Sequence, residues 1–202
     1  MTGLRGAELL IATGNAGKMA EFSKLLAPYG TKLRSLSDLA LPEPEETEFS
    51  FAGNARLKAR AGAMASGLPT LADDSGLVVA ALGGAPGIYT ADWAEGEKGR
   101  DFNAAMARTQ ELLDAIRSPA QRNAHFCCVL VLAWPDGQEQ VFEGTLPGQI
   151  VWPMRGEFGH GYDPIFLPDG HKLTMGEMAP ALKNSISHRA LAVAKFIDVC
   201  FT

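Results

Sequence analysis

The chain of 202 residues is long enough for one substantial domain, and 47% of its residues are hydrophobic. Its net charge of -5 argues against a groove for polymeric nucleic acid, which normally needs a basic face. The sequence shows no secretory leader and no apolar run of about 18 residues, so we expect a cytoplasmic protein with no membrane partner.

The sequence also predicts the domain organisation and the state of the cysteines. It contains no internal repeat and no long linker, so we expect a single domain over residues 1–202. Cys127 and Cys128 are adjacent in an apolar run, and Cys200 is the third cysteine. This spacing fits neither a disulfide framework nor a zinc motif, so all three are predicted to be buried thiols.

The first predicted elements are a strand over residues 8–12 and a helix over residues 18–29, which Gly30 closes. The apolar face of this helix consists of Met19, Phe22, Leu25 and Leu26. A second strand is predicted over residues 31–36.

The turn between the first strand and the first helix is the strongest local signal. It reads Thr13-Gly14-Asn15-Ala16-Gly17-Lys18. Unpaired N–H groups and the helix dipole favour phosphate binding at such a position. A lysine in the first helical turn costs roughly 0.3–1 kcal/mol, and a bound phosphate would offset that penalty. Ala12 and Met19 exclude a Walker A loop, and the glycine spacing excludes a dinucleotide fingerprint. An ordinary strand-to-helix turn remains the alternative.

An acidic, proline-containing loop over residues 41–47 precedes a predicted helix over residues 49–66. Asn54 and Lys58 lie four residues apart on the polar face of this helix. The opposite, core-facing stripe consists of Phe51, Ala55, Ala59 and Ala63.

Two adjacent carboxylates, Asp73 and Asp74, follow a predicted strand over residues 68–72. Two carboxylates this close repel each other unless a cation binds between them. Mg²⁺ is such a cation, because it binds one or two carboxylates together with substrate phosphates. Glu45 and Glu46 of the acidic loop are candidates to complete that shell. The alternatives are an Asx turn at the aspartates and a solvated charge run in the loop.

The rest of the chain carries six predicted elements: an apolar segment over 77–82, a helix over 102–117, strands over 124–134 and 138–145, a short strand over 165–167, and a helix over 187–201. Pro135-Asp136-Gly137 forms a hairpin turn, which indicates a mixed sheet. The inward face of the last helix is predicted to be Leu191, Ala194, Ile197 and Phe201.

Two further segments carry candidate binding residues. His188 and Arg189 fall in the first turn of the last helix, and Lys183 lies just before it, so these cations are expected to face an anion or a polar base edge. His160, Tyr162 and Asp163 lie in a glycine-containing loop and can stack on or hydrogen-bond to a base. A solvated helix start and a plain turn before Pro164 are the respective alternatives.

Taken together, six ordered motifs resemble the inosine triphosphate pyrophosphatase family over nearly the full chain. They are Thr13–Lys18, Phe51-Ala52-Gly53-Asn54-Ala55 with Lys58, Ala72-Asp73-Asp74-Ser75-Gly76-Leu77, Leu82-Gly83-Gly84-Ala85-Pro86-Gly87-Ile88-Tyr89, Gly161-Tyr162-Asp163-Pro164-Ile165-Phe166 and Ser187-His188-Arg189. The resemblance implies an α/β fold, with a long mixed β-sheet flanked by helices in two lobes with a central cleft, and a homodimer. It also implies hydrolysis of dITP, ITP and XTP to the monophosphate and pyrophosphate.

The resemblance further implies roles for individual residues. Asp74 is expected to activate the attacking water and, with Asp73 and Glu46, to serve Mg²⁺. The expected substrate contacts are Thr13, Gly14, Asn15, Ala16, Gly17 and Lys18 at the triphosphate, with Asn54, Lys58 and Ser75, and His160, Gly161, Tyr162, Asp163, Lys183, His188 and Arg189 at the base and sugar. Two positions depart from the common pattern: Gly53 stands where many members carry Glu, and His160 where many carry Phe.

Two other functions compete with this interpretation. A nucleotide pyrophosphatase of the septum-inhibitor type would prefer modified pyrimidine or other nucleotides. A non-catalytic nucleotide sensor is less compatible with the Asp73-Asp74 pair, because a binding protein gains little from a costly carboxylate metal site.

Overall fold

The computed structural model describes residues 4–116 and 121–201, so the predictions for residues 1–3 and for Arg117 lie outside the described residues. The helices are α1 (Ala16–Leu26), α2 (Phe51–Ser66), α3 (Phe102–Ala115), α4 (Pro180–Ile186) and α5 (His188–Cys200). The strands are β1 (Glu8–Ile11), β2 (Lys32–Ser35), β3 (Thr70–Val79), β4 (Asn123–Ala133), β5 (Glu139–Ile150) and β6 (Phe166–Pro168).

The strands form one six-stranded sheet in the order β2-β1-β3-β4-β5-β6. β1 runs parallel to both β2 and β3, with Leu10 opposite Arg34 and Thr70. β5 and β6 are antiparallel, with Gln149 opposite Leu167. The predicted α/β class with a mixed sheet is therefore confirmed.

The chain divides into two compact units, each with its own apolar core. The first unit comprises the chain up to Asp74, Cys128–Gly144 and the chain from Arg189 onward, and the second comprises Ser75–Cys127 and Thr145–His188. Phe22, Leu71 and Phe196 pack in the first unit, and Leu77, Phe126 and Phe166 in the second. No helix in the described ranges is both long enough and apolar enough to cross a membrane.

The prediction that a strand ends before Asp73 is wrong. β3 continues without a break through Asp73-Asp74-Ser75-Gly76 to Val79, and both aspartates are buried. Their charges meet polar partners from neighbouring elements, described below, so the carboxylates need not reach solvent and the strand need not turn.

β5 is also longer than predicted, because it runs past residue 145 to Ile150. Buried and exposed residues alternate along it from Val141 to Ile150, a period-two pattern that continues through Pro147. Gly148 is required there, because a Cβ at this position would collide with the backbone of Leu167 in β6.

The C-terminal region differs most from the prediction. Helix α4 was not predicted, and α5 begins at His188 rather than at residue 187. The buried face of α5 is Ala192, Val193 and Phe196. Of the residues predicted to face inward, Phe201 is buried and Ile197 is half-buried, whereas Leu191 and Ala194 are exposed. Both sets of apolar residues fit the helical period, so only packing decided between them. Cys200 is half-buried, in contrast to the buried Cys127 and Cys128.

Candidate active site

The turn between β1 and α1 is built around Asn15. Its side-chain oxygen caps the helix by accepting from the N–H groups of Gly17 at 2.9 Å and Lys18 at 3.1 Å, while its own N–H donates to Thr13 Oγ1. Within the described residues, the N–H groups of Gly14 and Ala16 donate to no protein acceptor, and both residues are exposed. The turn therefore offers two exposed amides at the positive end of α1.

The carboxylate of Glu43 in the acidic loop lies close to Gly14. A Cβ at Gly14 would collide with the carboxylate of Glu43, so a larger residue there would require the Glu43 side chain to move. Glu43 thus places a negative charge beside the turn that the sequence identifies as a phosphate site.

Asp73 is surrounded by cations. Its Oδ2 lies 2.9 Å from Lys18 Nζ and 3.3 Å from Arg189 Nη2, and its side chain is fully buried. Burial alone would raise the pKa of Asp73, but Lys18, Arg189 and Lys58 hold it well below its usual range. Asp73 is therefore an anion that fixes two cationic side chains.

Asp74 lies in a different electrostatic environment. Burial and the neighbouring Glu46 raise the pKa of Asp74 to about 6, with Lys58, Asn54 and Lys18 opposing the rise. Asn54 Nδ2 donates to Asp74 Oδ2 at 3.0 Å. The pKa values of the two adjacent carboxyl groups are thus shifted in opposite directions. Asp73 remains an anion, whereas Asp74 gains and loses a proton near neutrality.

Asn54 and Lys58 do not lie on an exposed polar face of α2, because they are only 2% and 3% exposed. Lys58 Nζ donates to Glu46 Oε1 at 2.5 Å. Although burial lowers the pKa of Lys58, the charges of Asp73, Glu46 and Asp74 together raise it, so the lysine stays protonated.

Gly53 allows the acidic loop to reach the start of α2. A Cβ at Gly53 would lie 2.6 Å from Glu48 Cβ, a contact that only a backbone shift could relieve. The N–H of Glu48 donates to Asn54 Oδ1 at 3.0 Å, and Ser50 Oγ caps the helix by accepting from the Gly53 N–H. The presence of glycine at position 53, where many family members carry Glu, therefore has a steric reason in this chain.

The second unit holds a separate set of predicted residues. Asp163 is buried, forms an ion pair with Lys183, and accepts from the backbone N–H of His160 at 2.8 Å. Tyr162 is buried edge-on against Phe102, and burial raises the pKa of its hydroxyl. His188 stacks on Phe126 with ring centroids 5.0 Å apart.

The structure thus brings the predicted residues into two groups. In the first unit, Lys18, Glu46, Asn54, Lys58, Asp73, Asp74 and Arg189 interact with one another. In the second, His160, Asp163 and Lys183 do so, and Ser75 lies within β3.

Three glutamates at the first-unit site had not been assigned a role from the sequence. Glu21 accepts from Arg189 Nη1 at 2.7 Å, Glu43 lies close to Gly14 and Glu48 covers Gly53. Glu21 follows Lys18 by three residues and hence shares its helix face, which is the only local signal for it.

A sequence profile of the Ham1 family matches residues 9–199. A dITP/XTP pyrophosphatase of Ruegeria pomeroyi is 57% identical over 97% of this chain and 96% of its own length, and one of Rhodospirillum centenum is 54% identical over the same shares. The structure of a HAM1 protein from Coxiella burnetii superposes with a TM-score of 0.90 at 36% identity, covering 96% of this chain and 98% of that chain. These similarities confirm the family indicated by the motifs, and the chain belongs to the Ham1 family.

Proposed function

We propose that this protein hydrolyses dITP, ITP and XTP to the nucleoside monophosphate and pyrophosphate, and so removes these nucleotides from the pool. The observation that carries the proposal is the pairing of a fully ionised Asp73 with an Asp74 whose pKa lies at about 6, beside three cationic side chains. Relatives more than 50% identical over nearly their full length are named dITP/XTP pyrophosphatases, which supports this substrate class.

The triphosphate is expected at the turn that ends β1. The exposed amides of Gly14 and Ala16 offer donors to phosphate oxygens, and the side chains of Lys18 and Lys58 supply positive charge. Thr13, Asn15 and Gly17 shape this turn, since Thr13 holds Asn15 and Asn15 caps α1.

The residues present fit a magnesium ion that the substrate completes. Glu46 raises the pKa of Asp74 by repulsion, and a cation bound by these two hard oxygen donors would relieve that repulsion. In the described part of the chain no three His, Cys, Asp or Glu side chains are grouped as a self-sufficient metal site. Bound magnesium would supply positive charge to the phosphate oxygens. We propose Asp74 and Glu46 as its ligands, with Asp73 ranked behind them because Asp73 already neutralises Lys18 and Arg189.

Asp74 is the proposed general base. Because its pKa lies at about 6, it is largely ionised at neutral pH yet basic enough to accept a proton from water. The water oxygen forms a bond to the α-phosphorus as its proton passes to Asp74, the bond from the α-phosphorus to the bridging oxygen breaks, and pyrophosphate leaves. Lys18 and Lys58 stabilise the charge on the departing phosphates.

The base and sugar are proposed to contact residues of the second unit. Asp163 fixes the Lys183 ammonium and the His160 backbone, so a preorganised donor is available for a 6-oxo group. Adenine carries an amino group at that position and would leave such a donor unpaired, which favours dITP and XTP over ATP. Gly161, Tyr162, His188 and Ser75 complete the proposed contacts.

We further propose that the protein is a cytoplasmic homodimer that binds neither membranes nor polymeric nucleic acid. Cytoplasmic location follows from a role in clearing the nucleotide pool, and the acidic net charge of -5 disfavours a polyanionic partner. Light scattering coupled to size exclusion would give the oligomeric state directly.

A nucleotide panel assayed for released pyrophosphate tests the function. The wild-type protein should release pyrophosphate from dITP, ITP and XTP far faster than from ATP, and only with magnesium. Asp74→Asn should lower the rate by at least about a hundredfold at unchanged folding, whereas Asp92→Asn, an exposed aspartate in the second unit, should not. Preference for modified pyrimidines would favour the septum-inhibitor type, and binding without turnover would favour a sensor.

A further inference from the structure

A chain of four charged side chains connects α1, β3 and α5 in the first unit. Glu21 Oε2 lies 2.7 Å from Arg189 Nη1, Arg189 Nη2 lies 3.3 Å from Asp73 Oδ2, and that same oxygen lies 2.9 Å from Lys18 Nζ. Lys18 and Glu21 both belong to α1, so the chain begins and ends on one helix.

The distances rank the contacts of this chain. Charge-assisted hydrogen bonds between a cationic nitrogen and a carboxylate oxygen are about 2.7–2.9 Å long when well formed. The contacts of Glu21 with Arg189 and of Lys18 with Asp73 meet that length, whereas the contact of Arg189 with Asp73 is longer at 3.3 Å. The guanidinium is thus drawn towards Glu21, and Asp73 is held mainly by Lys18.

The four charged side chains are largely buried, so losing one of these contacts has an energetic cost. The side chains of Arg189 and Glu21 are 12% and 20% exposed, and Asp73 is fully buried. A buried guanidinium that loses one carboxylate is expected to move closer to another, because leaving its charge uncompensated is costly. Among its ion pairs in the described residues, the other carboxylate that Arg189 contacts is Asp73, whose Oδ2 also contacts Lys18 Nζ.

We propose that Glu21 is a positioning residue for Lys18. By holding Arg189, Glu21 keeps the guanidinium from competing with Lys18 for Asp73 Oδ2, and so keeps the ammonium at the phosphate-binding turn. This inference rests on the proposed function, because it assigns Lys18 to the phosphates, but it adds a residue that does not touch substrate.

The test measures binding of inorganic pyrophosphate by calorimetry in magnesium-free buffer, which needs no turnover. Glu21→Gln should weaken binding about tenfold, the effect of one lost charge-assisted contact, while the variant remains folded at the assay temperature. Glu8→Gln is the matched control, because it breaks an exposed Glu–Arg pair with Arg34 in the same unit and should leave binding unchanged.

A double variant distinguishes a positioning role of Glu21, exerted through Arg189, from a purely structural role. In Glu21→Gln/Arg189→Met the competing guanidinium is gone, so pyrophosphate affinity should recover to within about threefold of wild type. Glu21→Asp keeps the negative charge on a shorter side chain, so its pyrophosphate affinity should lie between those of wild type and Glu21→Gln. This variant provides the same test if Glu21→Gln does not fold. Wild-type affinity in Glu21→Gln and Glu21→Asp, or a double variant weaker than Glu21→Gln, would overturn the proposal.

Failure of the proposed function gives a different result. If wild-type protein releases no pyrophosphate from dITP, the function is wrong whatever the calorimetry shows. If wild type releases pyrophosphate and Glu21→Gln binds it normally, only the role of Glu21 is wrong.

Discussion

The side-chain amide of Asn54 donates a hydrogen bond of 3.0 Å to Asp74 Oδ2, and both residues are buried. Asn54 also accepts the N–H of Glu48 through its own oxygen, so its orientation is fixed from both ends. The proposed base is therefore aimed by α2, and its proton affinity depends on a neighbour that carries no charge.

Replacing Asn54 by alanine should shift the pH dependence of kcat/KM. The hydrogen bond from Asn54 lowers the pKa of Asp74, which is about 6, so its loss raises that pKa and the acidic limb moves to higher pH by about half a unit to one unit. Rates measured at fixed magnesium between about pH 5 and 8 check this. The exposed Asn103→Ala on α3 is the control, and an acidic limb that does not move in Asn54→Ala would disprove the link.

Asp74→Asn should stabilise the metal-free protein at neutral pH. The folded-state pKa of Asp74 is about 6 against a model value of 3.8, so its contribution to stability is complete below the lower value and is lost as pH rises through the upper one. Wild type should therefore lose stability relative to the variant between those two values, by on the order of 3 kcal/mol.

Urea unfolding of metal-free protein at about pH 4 and pH 7.5 measures that difference. The control is Asp92→Asn, a substitution of an exposed residue in the second unit, which should show no such pH-dependent difference. A stability difference between Asp74→Asn and wild type that is the same at both pH values would contradict the raised pKa of Asp74.

Glu46→Gln should raise the magnesium concentration needed for half-maximal activity by about tenfold or more. Glu45 and Glu46 are both exposed, but in the described part of the chain only Glu46 contacts Lys58 and repels Asp74. Glu45→Gln is hence the matched control and should leave the magnesium requirement unchanged. An equal effect of both substitutions would mean that the loop acts only through its overall charge.

Asp163→Asn and Lys183→Gln should each raise KM for dITP, by about tenfold, with a smaller change in kcat. Both break one ion pair, and Asp163→Asn also weakens the acceptor of the His160 N–H. Because the two side chains act together, the double variant should be no worse than the more damaging single variant. Effects that add fully in steady-state kinetics would show that they act independently.

Much of the fold followed from local patterns in the sequence. The apolar stripes predicted α1, α2 and α3, although the predicted ends of α1 and α2 missed by two or three residues, and Gly30 and Gly67 end their elements in the left-handed conformation as a terminal glycine should. The limits of β3 and the buried face of α5 were not predictable, because in both cases neighbouring elements decided between patterns that the sequence fitted equally well.

The sequence by itself determined which chemical groups the site contains: the capped turn before α1, the adjacent aspartates, and the lysines in an otherwise acidic chain. Only the tertiary structure decided how their charges are shared. Burial beside Lys18 and Arg189 makes Asp73 a permanent anion, while burial beside Glu46 makes Asp74 a weak acid near neutrality. The difference arises because a pKa depends on desolvation and on charges a few ångströms away, and those distances are set by packing between segments remote in sequence.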